Sequence, residues 1–109
     1  MNEAEEILRL QALYPSARDL KDGGNICVLL PDLPVLSLGQ HVIRTALLYP
    51  HAHTGYLTRL FLSEPIQGRR SDWSQHTLLT RNWWTWSWQH VTPNQPWTAI
   101  LANHLKALA

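Results

Sequence analysis

Turn signals that recur at short intervals constrain residues 17–63 of this chain to short strands. Glycines or prolines mark these turns at Asp22–Gly24, Pro31–Pro34 and Leu38–Gly39. Glycine favours tight turns because it tolerates positive φ, and proline interrupts regular elements because it lacks the backbone N–H. The segments between the turns are too short for ordinary helices, so we predict antiparallel strands linked by hairpins.

Four apolar runs between these turns are the predicted strands. They span Ala17–Leu20, Asn25–Leu30, His41–Tyr49 and Tyr56–Ser63. The last run alternates most regularly between its two sides, which is typical of a strand in a sheet. Tyr49–Gly55, between the third and fourth runs, is predicted to be an exposed loop because Pro50 interrupts the strand pattern.

A helix is predicted at each end of the chain. The N-terminal helix covers Asn2–Tyr14, with glutamates in its first turn that suit the positive end of the helix dipole, and Pro15 ends it. The C-terminal helix begins after Pro96, and its apolar residues recur at helical spacing from Trp97 to Leu108. We therefore expect Trp97 to lie in the core.

The segment Trp73–Val91 fits neither the strand nor the helix period and is predicted to be irregular. It contains five of the six tryptophans of the chain. The predicted order is an N-terminal helix, an antiparallel meander of about four strands, the irregular Trp-rich segment and a C-terminal helix. This is an α+β fold, and 109 residues fit a single domain over residues 1–109.

Charge and cysteine content exclude several classes of protein. Nine Lys and Arg against eight Asp and Glu give a net charge of +1, whereas nucleic-acid binders normally carry a basic excess. One cysteine cannot form an internal disulfide or a thiolate zinc cluster. The apolar runs are too short to span a bilayer, and the acidic N-terminus differs from a secretory signal. We therefore expect a cytoplasmic protein with neither a nucleic-acid nor a membrane partner.

The opening Glu5–Pro15 (EEILRLQALYP) resembles the start of RWD domains, relatives of the ubiquitin-conjugating (E2, or UBC) fold whose acidic first helix ends in Tyr-Pro. Leu47–Pro50 is similar to the Tyr-Pro loop that follows the third strand of that fold. Trp86–His90, followed by Pro93, Trp97 and a helix, is similar to the bacterial E2-like proteins called prokaryotic E2 family E. The resemblance covers nearly the whole chain and implies a UBC/RWD-like fold with a role in ubiquitin-like conjugation.

This chain departs from E2 enzymes at the position of the catalytic cysteine. The resemblance implies a nucleophilic thiol after the fourth strand, just behind a His-Pro-Asn tripeptide, and Ser63–Trp88 contains neither. The single thiol, Cys27, lies in an apolar run, and we expect it to be buried rather than catalytic. The resemblance therefore implies a module without catalytic residues that binds an E1-, E2- or ubiquitin-like protein.

Candidate partner-binding residues lie in two predicted loops and in the Trp-rich segment. They are Tyr49, His51, His53, Arg69, Arg70, Trp84, Trp86, Trp88 and His90. Loops on a rigid scaffold often carry recognition, and tryptophan is enriched at the centres of interfaces. His51 and His53 would supply only two of the three or four ligands that zinc requires, so neither a metal nor a cofactor is predicted.

The tryptophan row is open to three interpretations. If residues 84–90 are extended, Trp84, Trp86, Trp88 and His90 share one face, which would place three rings in the core under the C-terminal helix. Part of the row could instead form an exposed interface patch, or a platform that stacks sugars or bases. His90 could act as a general base, or it could anchor the turn before Pro93.

Three hypotheses for function follow. The first is a non-catalytic E2/RWD-like protein-interaction module of a bacterial ubiquitin-like modification or defence system. The second is an atypical E2-like transferase subunit in ubiquitin-like conjugation, which uses Cys27 or contributes to a composite site. The third is an unrelated small α+β domain whose tryptophan row binds a ligand or fills the core.

Overall fold

The computed structural model describes residues 2–52, 55–68 and 71–108. Within these residues the chain forms two helices and a six-stranded antiparallel sheet. The elements in chain order are α1 (Glu3–Leu13), β1 (Arg18–Asp22), β2 (Asn25–Ser37), β3 (Gln40–Tyr49), β4 (Arg59–Leu62), β5 (Trp73–Leu78), β6 (Arg81–Trp86) and α2 (Trp97–Leu108). The α+β class and the helices at both ends confirm the sequence-based prediction.

The strand order is β1-β2-β3-β4-β6-β5, and neighbouring strands are antiparallel. The first four strands therefore form a meander in chain order, and the predicted turns at Gly23–Gly24 and Leu38–Gly39 are confirmed. The turn predicted at Pro31–Pro34 is wrong, because both prolines lie inside β2, next to a register shift between Leu30 and Leu33 and beyond the last residue that pairs with β1. β5 and β6 form a hairpin, and β6 adds it to the edge of β4. The prediction that the Trp-rich segment is irregular is wrong, because β5 and β6 within it are regular strands, and the sheet has six strands instead of about four.

Two-residue turns connect three of the hairpins. The β1–β2 and β2–β3 turns use Gly23–Gly24 and Leu38–Gly39, all at positive φ, which the glycines adopt at little cost. The β5–β6 turn consists of Leu79 and Thr80, whose φ angles are 51° and 63°. Neither residue favours positive φ, so the sequence gives no hairpin signal at this turn.

Local sequence explains where α1 begins and ends. The Asn2 side-chain oxygen accepts the Glu5 N–H at 2.9 Å, an N-cap that satisfies one of the free donors of the first turn. The Tyr14 N–H donates to the Leu10 carbonyl at 2.7 Å, and Pro15 then prevents the helix from continuing. The helix is therefore fixed at both ends by its own residues.

The sheet separates two apolar clusters, because successive residues of a strand point to opposite faces. Ile26 and Val28 of β2 belong to a helix-side cluster that also contains residues of α1 and α2. The far-side cluster on the opposite face consists of Cys27, Leu47, Tyr49, Phe61 and Trp83. The central strands are therefore buried on both faces.

Helix α2 closes the helix-side cluster. Trp97, Ile100, Leu101 and Leu108 are at most 4% exposed, so the prediction that Trp97 lies in the core is confirmed. Lys106 lies in the last turn, where a cation suits the negative end of the helix dipole. Within the described ranges, no helix is long and apolar enough to cross a membrane.

Candidate functional site

Residues 55–58, the part of the loop after β3 that lies next to β4, meet the segment between β6 and α2 at one end of the sheet. Side-chain hydrogen bonds join the two segments. The sequence predicts a strand from Tyr56 onward, but β4 begins only at Arg59, so Tyr56 and Thr58 belong to this loop. The Tyr56 hydroxyl donates to Ser87 Oγ at 3.2 Å, and the Thr58 hydroxyl donates to the Val91 carbonyl at 2.8 Å. We call this the cleft end of the sheet; the β2–β3 turn lies at the opposite end of β3.

A cleft of about 350 Å³ opens at the cleft end. Its walls are the first turns of α1 and α2, together with His51 and residues 93–96. This volume lies near the lower limit of small-molecule sites, which usually occupy about 300–1,000 Å³. The cleft therefore has room for one side chain or one small organic group.

Glu6 joins the two helices behind the cleft wall. The residue is 6% exposed, and its Oε2 accepts the Trp97 N–H at 2.7 Å. This carboxylate satisfies a free donor at the start of α2 and suits the positive end of the helix dipole. Its other oxygen, Oε1, is buried and has no hydrogen-bond partner among residues 2–52, 55–68 and 71–108. The cleft wall thus contains a buried acceptor with unused capacity.

The exposed rim of the cleft is formed by His51 and Glu3. His51 Nε2 lies 3.6 Å from Glu3 Oε2, and the two side chains are 55% and 52% exposed. The His51 ring also packs edge-on against the Trp97 ring, with 6.1 Å between the ring centroids. The prediction that His51 lies on the surface is confirmed, and its ring covers one side of a buried tryptophan.

A buried polar group holds the loop after β3 against α2. Thr58 Oγ1 lies 2.9 Å from Nε2 of His104, and both residues are 1% exposed. Because the Thr58 hydroxyl donates to the Val91 carbonyl, the His104 ring must donate from Nε2 to Thr58. Burial lowers the pKa of His104 to about 4, so the ring is neutral near pH 7. This arrangement requires no charge in the core.

Tyr49 is the first predicted site residue that the structure places elsewhere. It is the last residue of β3, is 1% exposed and packs in the far-side cluster. Its hydroxyl donates to Asp22 Oδ2 at 2.8 Å, and burial is the main reason that the pKa of the tyrosine is raised. The expectation that Tyr49 lies in an exposed loop is wrong, because its ring fills an apolar site on the sheet.

The tryptophan row divides between the two faces of the sheet. Trp86 is 2% exposed in the helix-side cluster, and Trp83, on the opposite face, is 1% exposed in the far-side cluster. Trp84 and Trp88 are only half-buried. The expectation of three rings buried under α2 is therefore confirmed for Trp86 alone, because half-buried Trp88 only packs against the helix-side cluster and Trp84 is not enclosed. Its burial also removes Trp86 from the candidate partner-binding surface.

Two of the remaining candidate partner-binding residues, Trp88 and His90, lie near the cleft end. His90 is exposed, and its ring packs against half-buried Trp88 with 5.0 Å between centroids. The candidates His53, Arg69 and Arg70 lie outside the described residues. The surface at this end of the described chain therefore combines His51, Trp88 and His90.

The single thiol is not placed for catalysis. Cys27 is 0% exposed in the far-side cluster, and burial is the main reason that its pKa is raised to about 11. A thiol with such a pKa is almost entirely protonated near pH 7 and is a poor nucleophile. In the part of the chain that the structure describes, no three His, Cys, Asp or Glu side chains are grouped closely enough to hold a metal ion.

Sequence reasoning did not identify three of the residues that build this end of the molecule. Glu6 reads as one of several acidic residues in a first helical turn, and Thr58 as one residue of an alternating strand. His104 falls on the apolar stripe of α2, four residues after Ile100, and that position was the one signal of its burial. Their partners are distant in sequence, so local patterns cannot reveal them.

Comparison of the chain with protein-family models, curated proteins and solved structures gives no match. The function must therefore be inferred from the residues at the cleft end and from the features of the sequence.

Proposed function

We propose that this chain is a non-catalytic E2/RWD-like protein-interaction module of a bacterial ubiquitin-like modification or defence system. Its partner is an E1-, E2- or ubiquitin-like protein that docks at the cleft end of the sheet. The observation that carries the proposal is the meeting of the loop after β3 with the segment before α2. Hydrogen bonds from Tyr56 and Thr58 hold these two segments together beside the cleft.

The order of the elements supports the E2/RWD-like part of the proposal. A capped acidic helix ends in Tyr14-Pro15, and β1 to β4 follow as a meander in chain order. The second Tyr-Pro pair lies where β3 ends, and a helix closes the chain. The β5–β6 hairpin is an addition to the layout that the resemblance implies.

The position of Cys27 supports a role without thioester chemistry. An acceptor thiol must be exposed and ionised to attack an activated carboxyl group. Cys27 is fully buried, its pKa is raised, and it lies on the face of the sheet opposite to the helices. A ubiquitin-like C-terminus would have to pass through the far-side cluster to reach it.

The surface at the cleft end has the composition of a docking site. His51 and His90 are exposed, and half-buried Trp88 presents part of its ring beside His90. Aromatic residues on a rigid frame bury large areas in a complex at little cost in conformational entropy. The helices and the sheet on both sides supply that frame.

A binding experiment with matched histidine variants tests this proposal. Purified chain is titrated with E1-, E2- and ubiquitin-like proteins encoded beside its gene, and heat release is measured. We expect His51→Ala and Trp88→Ala to weaken binding at least about tenfold, in the range of interface hot spots. His41→Ala is the matched control, because His41 is an exposed histidine near the β2–β3 turn at the opposite end of the sheet.

Two outcomes would contradict the proposal. One is binding that His41→Ala weakens as much as His51→Ala, which would place the interface elsewhere. The other is a reducible adduct between Cys27 and a ubiquitin-like protein, which would establish transferase chemistry instead. Each variant is first compared with the parent chain by thermal unfolding, so that loss of fold is not read as loss of binding.

A further inference from the structure

We propose that the cleft between the first turns of α1 and α2 binds an alkylammonium group, supplied by a lysine side chain of the protein partner. The inference depends on the proposed function only for the source of that group. The cleft, its charge and its unused acceptor are properties of this chain alone. The proposal therefore identifies the chemistry that the cleft end recognises.

The charge of the cleft favours a cation. Two carboxylates, Glu3 and Glu6, line it, and both belong to α1. The Glu6 charge is almost fully buried behind the wall, where water screens it poorly and its field extends into the cleft. His51, the one other ionisable side chain on the walls within the described residues, is charged only when protonated.

The unused oxygen of Glu6 is a second and independent indication. A buried carboxylate oxygen without a hydrogen-bond partner is costly, and such groups are rare in folded proteins. Glu6 Oε1 is in this condition within the described residues, although Oε2 of the same carboxylate is paired with Trp97. A cation in the cleft would offset the negative charge that the protein leaves unbalanced.

The helix N-termini do not turn the cleft into an anion site. A free helix N-terminus attracts anions through its unpaired N–H groups. Here Glu6 itself accepts the Trp97 N–H of α2, and Asn2 accepts the Glu5 N–H of α1. Both termini therefore already have an oxygen acceptor, and an incoming anion would meet two carboxylates.

The shape of the cleft suits an aliphatic stem that ends in a charge. Its volume of about 350 Å³ exceeds that of one lysine side chain, and prolines 93 and 96 with Trp97 supply apolar walls. The methylene groups of lysine pack on such surfaces while the ammonium group contacts the polar rim. Glu3, at 52% exposure, can accept hydrogen bonds directly from that ammonium group.

A titration with small probes tests the inference without any protein partner. The chain is labelled with ¹⁵N, and the Trp97 amide and indole signals are followed by NMR at pH 8, above the range in which imidazoles ordinarily take up a proton. The probes are Nα-acetyl-lysine methylamide, its Nε-acetylated form and glycine methylamide. We expect saturable shifts with the first probe and none with the second, because acetylation removes the charge.

Charge variants locate the site. Glu3→Gln and Glu6→Gln each remove one negative charge. We expect Glu3→Gln to weaken binding of the lysine probe about threefold and Glu6→Gln to weaken it about tenfold, because solvent screens the buried Glu6 charge less. The amide oxygen that Glu6→Gln introduces can still accept the Trp97 N–H, so the fold is retained. Glu5→Gln is the matched control, because Glu5 is exposed on the same turn but does not line the cleft.

Several results would overturn the inference. These are equal shifts with the acetylated probe, no saturation by the lysine probe, or equal weakening by Glu5→Gln. Tighter binding of glycine methylamide would replace the lysine side chain with a chain N-terminus as the ligand. Failure of the protein-binding experiment would leave this titration unaffected, so the two proposals can fail separately.

Discussion

The Glu6 carboxylate of α1 accepts the backbone N–H of Trp97, the first residue of α2, at 2.7 Å across 91 residues of sequence. One side chain therefore caps the second helix and fixes the two helix N-termini relative to each other. The His51 ring packs against the Trp97 ring in a T-shaped arrangement. This hydrogen bond thus holds together the two helix starts that form walls of the cleft.

Removal of the Glu6 cap is expected to destabilise the fold. Glu6→Ala leaves the Trp97 N–H without its acceptor, and we expect a loss of about 1–2 kcal/mol in the free energy of unfolding. Glu6→Gln keeps an acceptor oxygen and should lose less. Urea unfolding followed by tryptophan fluorescence measures both values. Equal losses for the two variants would show that the charge, and not the hydrogen bond, is what matters.

Stability should fall as the pH is lowered through the range in which His104 titrates. The pKa of His104 is about 4 in the folded chain, below the ordinary histidine value of 6.5. Between pH 6.5 and pH 4 the unfolded chain therefore binds a proton that the folded chain does not. The free energy of unfolding therefore loses nothing to this residue above pH 6.5, and it decreases by about 3 kcal/mol as the pH falls to 4. Burial also lowers the pKa of His76, which adds to the loss in the same direction.

Comparison of one variant with the parent chain isolates this contribution. His104→Leu should flatten the dependence of unfolding free energy on pH between 6.5 and 4, because leucine cannot take up a proton. Chemical denaturation at several pH values gives the slopes. An unchanged slope in His104→Leu would show that another group is responsible.

The Cys27 thiol should resist modification in the native protein. It is fully buried and its pKa is raised to about 11, so both access and ionisation limit the reaction. We expect labelling by a thiol reagent at pH 7 to be slow in buffer and fast in denaturant. Cys27→Ser should reduce stability by burying a hydroxyl and should leave partner binding intact. Rapid labelling of the native chain would revive the transferase hypothesis.

Two rings in contact should differ sharply in their contribution to stability. Trp97 is 4% exposed, and Trp97→Ala should destabilise the fold by about 3–5 kcal/mol. His51 lies against it at the surface, and His51→Ala should change stability by no more than about 0.5 kcal/mol. Thermal unfolding of both variants measures the difference. A large loss in His51→Ala would mean that this ring is part of the core.

The β5–β6 turn offers a stabilising substitution. Thr80 has φ at 63°, a conformation that is unfavourable for a β-branched residue and easily adopted by glycine. Thr80→Gly should therefore raise the free energy of unfolding by about 0.5–1 kcal/mol. The reciprocal control is Gly24→Ala in the β1–β2 turn, where φ is 93° and alanine should destabilise. Denaturant unfolding of the two variants should show shifts of opposite sign.

Local sequence determined the parts of this protein whose signals are local. Asn2, Pro15 and Pro96 mark helix ends by their own chemistry, and Gly23–Gly24 and Gly39 mark turns because they adopt positive φ without strain. These residues mark the ends of both helices and two turns of the four-strand meander, and the helical spacing of apolar residues from Trp97 to Leu108 predicts the core position of Trp97.

Only the tertiary structure decided how the tryptophans and the cleft are arranged. Strand β6 pairs with β5 and β4, and this pairing holds Leu79 and Thr80 in a turn that their own backbone preferences oppose. The Trp-rich segment therefore forms a hairpin. The order of strands then determines that Trp86 meets α2 while Trp83 lies on the far side. The Glu6–Trp97 bond joins residues 91 positions apart. Contacts of this kind leave no periodic trace in the sequence, because they follow from how whole elements pack rather than from the preferences of neighbouring residues.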